Sequence, residues 1–120
     1  MSDGDETTYQ LFQQGQAHLR QGMAAQATVA LEKAKKRDPG KASIREALGI
    51  AYFRIRRWEE AEAEFRAVLE ISPVDDYAHY ALGRSLEKQG KMREANGHYK
   101  LASSMVPGSA QYAARIRELE

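Results

Sequence analysis

The three prolines of this 120-residue chain, Pro39, Pro73 and Pro107, stand 34 residues apart each time. Gly15, Gly49 and Gly83 keep the same step, and so do Ala27, Ala61 and Ala95. A large residue follows each of those alanines by four places (Leu31, Phe65, Tyr99), and a small or β-branched one by seven (Ala34, Val68, Ala102). Five columns in register over three copies mark a chain built from one supersecondary unit used three times. Such a unit cannot bury both of its faces alone, so the copies must stack and the last must be covered.

Each copy reads as two amphipathic helices. "YQLFQQGQAHLRQ", "SIREALGIAYFRI" and "YAHYALGRSLEKQ" contain no proline and space their apolar residues by three and four, the helical period. "AAQATVALEKAKKR", "WEEAEAEFRAVLEI" and "MREANGHYKLASSM" do the same for the second helices. Gly22 and Gly90 part the helices of copies one and three, where glycine takes the left-handed conformation that closes a helix. Copy two carries Arg56 there, so that turn either costs about 1 kcal/mol or is built differently. Each proline stops a second helix, and Asp75 and Asp76 are both expected to cap the helix that follows Pro73, with Asp76 at the cap position. Gly15, Gly49 and Gly83 let paired backbones approach, while Leu48, Tyr52, Phe65, Leu82, Leu86 and Tyr99 fill the space between helices. After Pro107, "AQYAARIRELE" forms a seventh helix whose Tyr112, Ile116 and Leu119 share a face and close the stack. The expected fold class is therefore all-α, three antiparallel helical hairpins and a capping helix. The expected divisions are a flexible tail over residues 1–7, copies at 8–41, 42–75 and 76–109, and the cap at 110–120.

Composition excludes several function classes. Eighteen Lys and Arg against 17 Asp and Glu leave a net charge of +1, without the basic excess of a general nucleic-acid binder. The absence of cysteine removes disulfides, thiolate zinc sites and a cysteine nucleophile. "MSDGDETT" lacks the basic and apolar regions of a secretory signal, and no apolar run approaches the roughly 20 residues that span a bilayer. A soluble, cytoplasmic protein is expected.

Four sets of residues suggest chemistry and have plainer readings. Asp75 and His79 are four apart on one helix face, but they supply too few ligands for a metal, and acids at a helix start complement its dipole. His18, His79 and His98 occupy unrelated columns, so no two are expected at metal-ligand spacing. Glu59, Glu60, Glu62 and Glu64 alternate with alanines and read as a solvated outer face rather than an acid–base pair. Lys33, Lys35, Lys36, Arg37 and Lys41 sit about a helix C-terminus, where cations are favoured whatever they bind. No glycine-rich phosphate loop is present, and no nucleophile, base and oxyanion donor converge. No catalytic residue, metal or cofactor is expected.

The glycine, alanine, large-residue and proline columns resemble the tetratricopeptide repeat family, over residues 8 to 107 as three repeats with a capping helix after them. Copy one departs most, with Gln14 and His18 where later copies carry Leu48, Leu82, Tyr52 and Leu86. The resemblance implies a right-handed solenoid whose first helices line a concave groove. It places Tyr9, Phe12, Gln16, Leu19 and Arg20 there from copy one, and Ser43, Glu46, Ile50, Phe53 and Arg54 from copy two. Copy three adds Tyr77, Tyr80, Arg84, Glu87 and Lys88. Five aromatics fall in these columns, and Arg20, Arg54 and Lys88 form a cationic edge. An exposed apolar patch of this kind marks a binding surface. Tyr80 and Phe53 are expected to serve binding without supporting the fold. Relatives that hold acidic chaperone tails use a clamp of lysines, asparagines and an arginine, and the matching positions here are Phe12, Gln16, Ala47, Tyr77 and Ala81. That clamp is absent, which leaves Arg84 as a single carboxylate anchor. The implied function is a protein interaction scaffold that takes a peptide or helical segment of a partner, or else a homo-oligomer formed through the same surface.

Overall fold

The computed structural model describes residues 6–119. The tail expected at residues 1–7 lies outside the described residues for its first five positions, whereas Thr7 is already the N-cap of the first helix. Seven helices follow in order: α1 (Thr8–Arg20), α2 (Ala24–Arg37), α3 (Ala42–Arg54), α4 (Trp58–Ile71), α5 (Asp76–Lys88), α6 (Met92–Met105) and α7 (Ala110–Leu119). Neighbours in sequence pack on one another along the chain, giving a stack of 53 × 24 × 21 Å.

The short turns inside each pair share one design. Gly22 and Gly90 take φ values of 75° and 80°, and Arg56 takes 66° at the equivalent place. In all three a backbone N–H reaches back five residues, from Met23 to His18, Arg57 to Tyr52 and Lys91 to Leu86. A second bond spans three, and the two together form the Schellman closure that satisfies the last carbonyls. Of the two alternatives for copy two, Arg56 thus keeps the turn and bears its strain, since a Cβ in this region is crowded by the following carbonyl.

Capping corrects one expectation. Asp75, not Asp76, is the N-cap of α5, and its carboxylate accepts from the Ala78 N–H at 3.0 Å. Asp76 already belongs to the helix, and its carboxylate accepts from the Tyr112 hydroxyl at 2.6 Å, tying the capping helix α7 to α5. The helix begins one residue earlier because the turn after Pro73 needs only two residues, closed by Asp75 N–H to the Ser72 carbonyl.

The glycine columns meet the large-residue columns. A Cβ on Gly15 would lie 2.4 Å from Leu31, one on Gly49 2.8 Å from Phe65, and one on Gly83 2.5 Å from Tyr99. These contacts carry the core: Leu31, Phe65 and Tyr99 are buried, together with Leu48, Leu82 and Leu86. Tyr112 closes the end, and Ile116 and Leu119 pack against the cluster formed by Phe65, Leu82, Leu86 and Tyr99.

The acidic stretch of α4 is not a uniformly solvated face. Glu64 is 5% exposed and bonds Lys35 of α2 at 2.9 Å and Arg45 of α3 at 3.1 Å. Glu62 is held by Arg66 at 2.9 Å and by the Gln89 amide at 2.9 Å. Alternation hid this: Glu64 precedes Phe65, and the α2–α3 junction reaches across to that side of the helix. Lys35, read as one of a run of cations about a helix C-terminus, is one of the ties between copies.

Candidate functional site

Between α3 and α5 lies a partly open cavity of about 320 Å³. Its lining is Ile50, Phe53, Arg54, Phe65, Tyr77, Tyr80, Ala81 and Arg84. The helical period puts Ile50, Phe53 and Arg54 on one side of α3, and Tyr77, Tyr80, Ala81 and Arg84 on the facing side of α5. A second cavity of about 160 Å³ lies between α1 and α3 on Phe12, Gln16, Leu19, Ser43, Glu46, Ala47 and Ile50. Ile50 belongs to both, so the same columns of successive copies make one continuous surface.

The expected site residues divide. Phe12, Gln16, Ile50, Phe53, Arg54, Tyr77, Tyr80 and Arg84 line the two cavities. Tyr9, Arg20 and Lys88 do not. Tyr9 is 67% exposed, and its hydroxyl accepts from the Gln13 amide at 2.8 Å. Arg20 borders a depression on α1 with Glu6 and Gln14. Lys88 turns onto the ring of Trp58, 5.6 Å from its centroid. Arg54 gives one N–H to the Leu19 carbonyl at 2.9 Å, so the cationic edge is partly spent inside the fold.

Two aromatics carry more structure than expected. Tyr80 lies 5.8 Å from Tyr99 and 5.1 Å from Tyr112, ring to ring, and its hydroxyl accepts from Gln111. Phe53 packs against the same core cluster and edge-on to Trp58 at 4.9 Å. Substituting either one removes core contacts together with any binding contact, contrary to the reading that they serve binding alone. Tyr77 is different: it is 40% exposed and touches this group through Tyr80 at 6.3 Å.

Electrostatics vary across the cavity. Burial, then the nearby Asp75 carboxylate, hold the Glu46 carboxyl above its ordinary range. Burial and the charge of Glu46 likewise raise the Tyr77 hydroxyl. Farther along α5 the Arg84 guanidinium lies over Phe53 of α3, 5.7 Å from the ring centroid. Its Nε is buried and meets no acceptor among the described residues.

Sequence reasoning missed Phe65 as a lining residue and Trp58 as the platform for Lys88, while Ala81, named there as a clamp position without a cation, does line the cavity. Phe65 read as pure core because it fills the Gly49 notch, yet its ring also borders the cavity. The histidines require a correction too. His79 and His98 stack at 5.3 Å with Nδ1 atoms 3.1 Å apart, because the antiparallel pairing of α5 and α6 joins columns far apart in sequence. The His79 Nε2–H donates to the Pro73 carbonyl at 3.1 Å, which leaves His79 Nδ1 to accept from His98. Among the described residues no three His, Asp or Glu side chains gather closely enough to hold a metal ion. No helix among them is long and apolar enough to cross a membrane.

This architecture has known counterparts. The family model for the tetratricopeptide repeat matches residues 12–76. The chain is 32% identical over 110 residues to the tetratricopeptide repeat and J domain-containing co-chaperone DNJ1 of Fusarium oxysporum f. sp. lycopersici. That match covers 92% of this chain but 20% of the co-chaperone, so the chain spans about a fifth of that relative's length. Among solved structures, the first TPR of Spaghetti (RPAP3) bound to the HSP90 peptide SRMEEVD superposes with a TM-score of 0.89. Identity there is 19%, over 94% of this chain and 90% of that one. MamA from Desulfovibrio magneticus RS-1 gives 0.93 at 20% identity, over 97% and 66% of the two chains. With its 34-residue period, its glycine notches and a family match over more than half its length, the chain belongs to the tetratricopeptide repeat family.

Proposed function

We propose that this chain is a non-catalytic binding module that holds a peptide or helical segment of a partner protein along the surface of α1, α3 and α5. The observation that carries the reading is the α3–α5 cavity, a partly open space of about 320 Å³ with aromatic walls and a buried Arg84 Nε that meets no acceptor among the described residues. Small repeats need no such space to stack. Aromatic walls supply affinity through buried area, and a fixed cation supplies orientation. The division into 34-residue units at 8–41, 42–75 and 76–109 belongs to the same proposal, because it puts equivalent residues of each copy on that surface.

The Spaghetti domain of the same fold holds an acidic chaperone peptide, and the co-chaperone relative suggests a similar line of work. The side chains here favour a different ligand. At Phe12, Gln16, Ala47, Tyr77 and Ala81 there is no cation to grip a terminal carboxylate, and Ala47 and Ala81 are buried. An apolar segment fits these walls better. For a single short peptide the expected affinity is on the order of micromolar, about 8 kcal/mol.

Peptides selected from a random dodecapeptide library, titrated into the labelled protein by NMR, test this. Shifts should concentrate in residues 43–54 and 77–88. Shifts confined to α2, α4 and α6, or a library that yields no binder, would overturn the reading. Sedimentation over a concentration series separates the homo-oligomeric alternative, which requires self-association through the same residues.

A further inference from the structure

We propose that Arg84 anchors an internal Asp or Glu side chain of the bound segment, an inference that rests on the binding reading above. Other cations at the helix junctions already have carboxylates. Lys35 and Arg45 close on Glu64, Arg66 on Glu62 and Glu94, and Arg115 on Glu87 and Glu118. Arg84 has no such partner among the described residues, although its Nε is buried. The acid nearest in sequence is occupied: Glu87 accepts from the Tyr99 hydroxyl at 2.8 Å and pairs with Arg115 at 3.4 Å. A donor withdrawn from water without an acceptor is costly, so the Arg84 Nε–H is satisfied only when an acceptor arrives.

The acceptor's chemistry follows from what surrounds it. The guanidinium lies over the ring of Phe53, and a planar donor fork matches the two oxygens of a carboxylate. A doubly charged phosphate fits less well. Glu46 and Asp75 place negative potential by Tyr77, and Arg54 has committed one donor to the Leu19 carbonyl. The Arg84 fork has no carboxylate among the described residues, and a single fork suits a monoanion. The acid is internal to its chain because the cavity lies mid-stack, and the surface continues through Ile50 into the α1–α3 cavity. A segment that fills both passes Arg84 and goes on. Beside its acid it carries an apolar side chain against Ile50, Phe53 and Tyr77.

The test uses library-selected peptides resynthesised with a C-terminal amide, so that every carboxylate comes from a side chain. The expected result is an Asp or Glu at fixed spacing from an apolar residue. Changing that acid to its amide weakens binding to the wild-type chain at least tenfold. Arg84→Gln weakens the acidic peptide equally, and the two peptides then bind that variant within about twofold of each other. Arg84→Lys recovers only part of the loss. Urea midpoints of both variants confirm that the stack is intact, and if Arg84→Gln unfolds, the acid-to-amide comparison on the wild type decides. Equal binding of acid and amide peptides overturns the Arg84 assignment while leaving the groove reading standing. Tighter binding of a phosphoserine peptide overturns the choice of carboxylate. Failure of every selected peptide removes the groove reading and this inference with it.

Discussion

Replacing glycine by alanine should have opposite effects at two positions of the third hairpin. A Cβ at Gly83 would lie 2.5 and 2.7 Å from two ring carbons of Tyr99, well inside ordinary contact distance. Tyr99 is fully buried, and its hydroxyl is bonded to Glu87, so the ring can yield only by disturbing the core or that bond. Overpacking of this severity costs about 3 kcal/mol, the upper end of the usual range. Alanine returns about 1 kcal/mol of helix propensity, which leaves a net loss of about 2 kcal/mol. Gly97 lies within α6 with nothing within 4 Å of the added Cβ, so there the propensity gain stands alone. Gly97→Ala should stabilise by about 1 kcal/mol, making the two variants differ by about 3 kcal/mol. Urea unfolding followed by circular dichroism reads both, with unchanged m-values confirming that only stability moved. If Gly83→Ala were neutral or stabilising, the tight approach of α5 to α6 would not hold, and the structural meaning of the glycine column would be lost.

Relief of the left-handed strain makes Arg56→Gly a stabilising change of about 1 kcal/mol in the same urea assay, with Gly22→Ala and Gly90→Ala moving the other way. Glu64→Ala leaves Lys35 and Arg45 facing each other without their shared carboxylate and should cost about 2 to 3 kcal/mol in denaturant unfolding. Burial, with the charges of His79 and Arg66, holds the His98 pKa below its ordinary 6.5. The folded chain then binds fewer protons than the unfolded one in that window. Stability is full above 6.5 and falls as pH drops toward the lowered value. Urea midpoints at pH 7.5 and 5.5 should therefore differ more for the wild type than for His98→Asn, and equal differences would contradict this.

The period of 34 made the fold legible because stacking requires the same small and large residues at the same places in each copy. Gly15 against Leu31, Gly49 against Phe65 and Gly83 against Tyr99 could be anticipated from columns alone. What escaped were contacts between columns. Glu64 reads as one of four alternating acids until α2 and α3 supply Lys35 and Arg45. His79 and His98 share no spacing in the sequence, yet the pairing of α5 with α6 stacks them. The surface residues were legible only in part. A column shows which way a side chain points, not how deeply it sinks, and so Tyr80 and Tyr77 look alike in sequence. Tyr112 of the capping helix, 5.1 Å from Tyr80, and Tyr99 of α6, 5.8 Å from it, make Tyr80 structural and leave Tyr77 exposed.

Tyr77 is consequently the residue on which the binding claim turns. Tyr77 borders the cavity, is 40% exposed and lies outside the packed core, so Tyr77→Ala should leave the unfolding free energy from urea denaturation within about 0.5 kcal/mol of wild type. The affinity of a library-selected, amidated peptide for the two proteins, by isothermal titration calorimetry, should fall about tenfold, close to 1.4 kcal/mol. Unchanged affinity in a stably folded Tyr77→Ala protein would contradict the account.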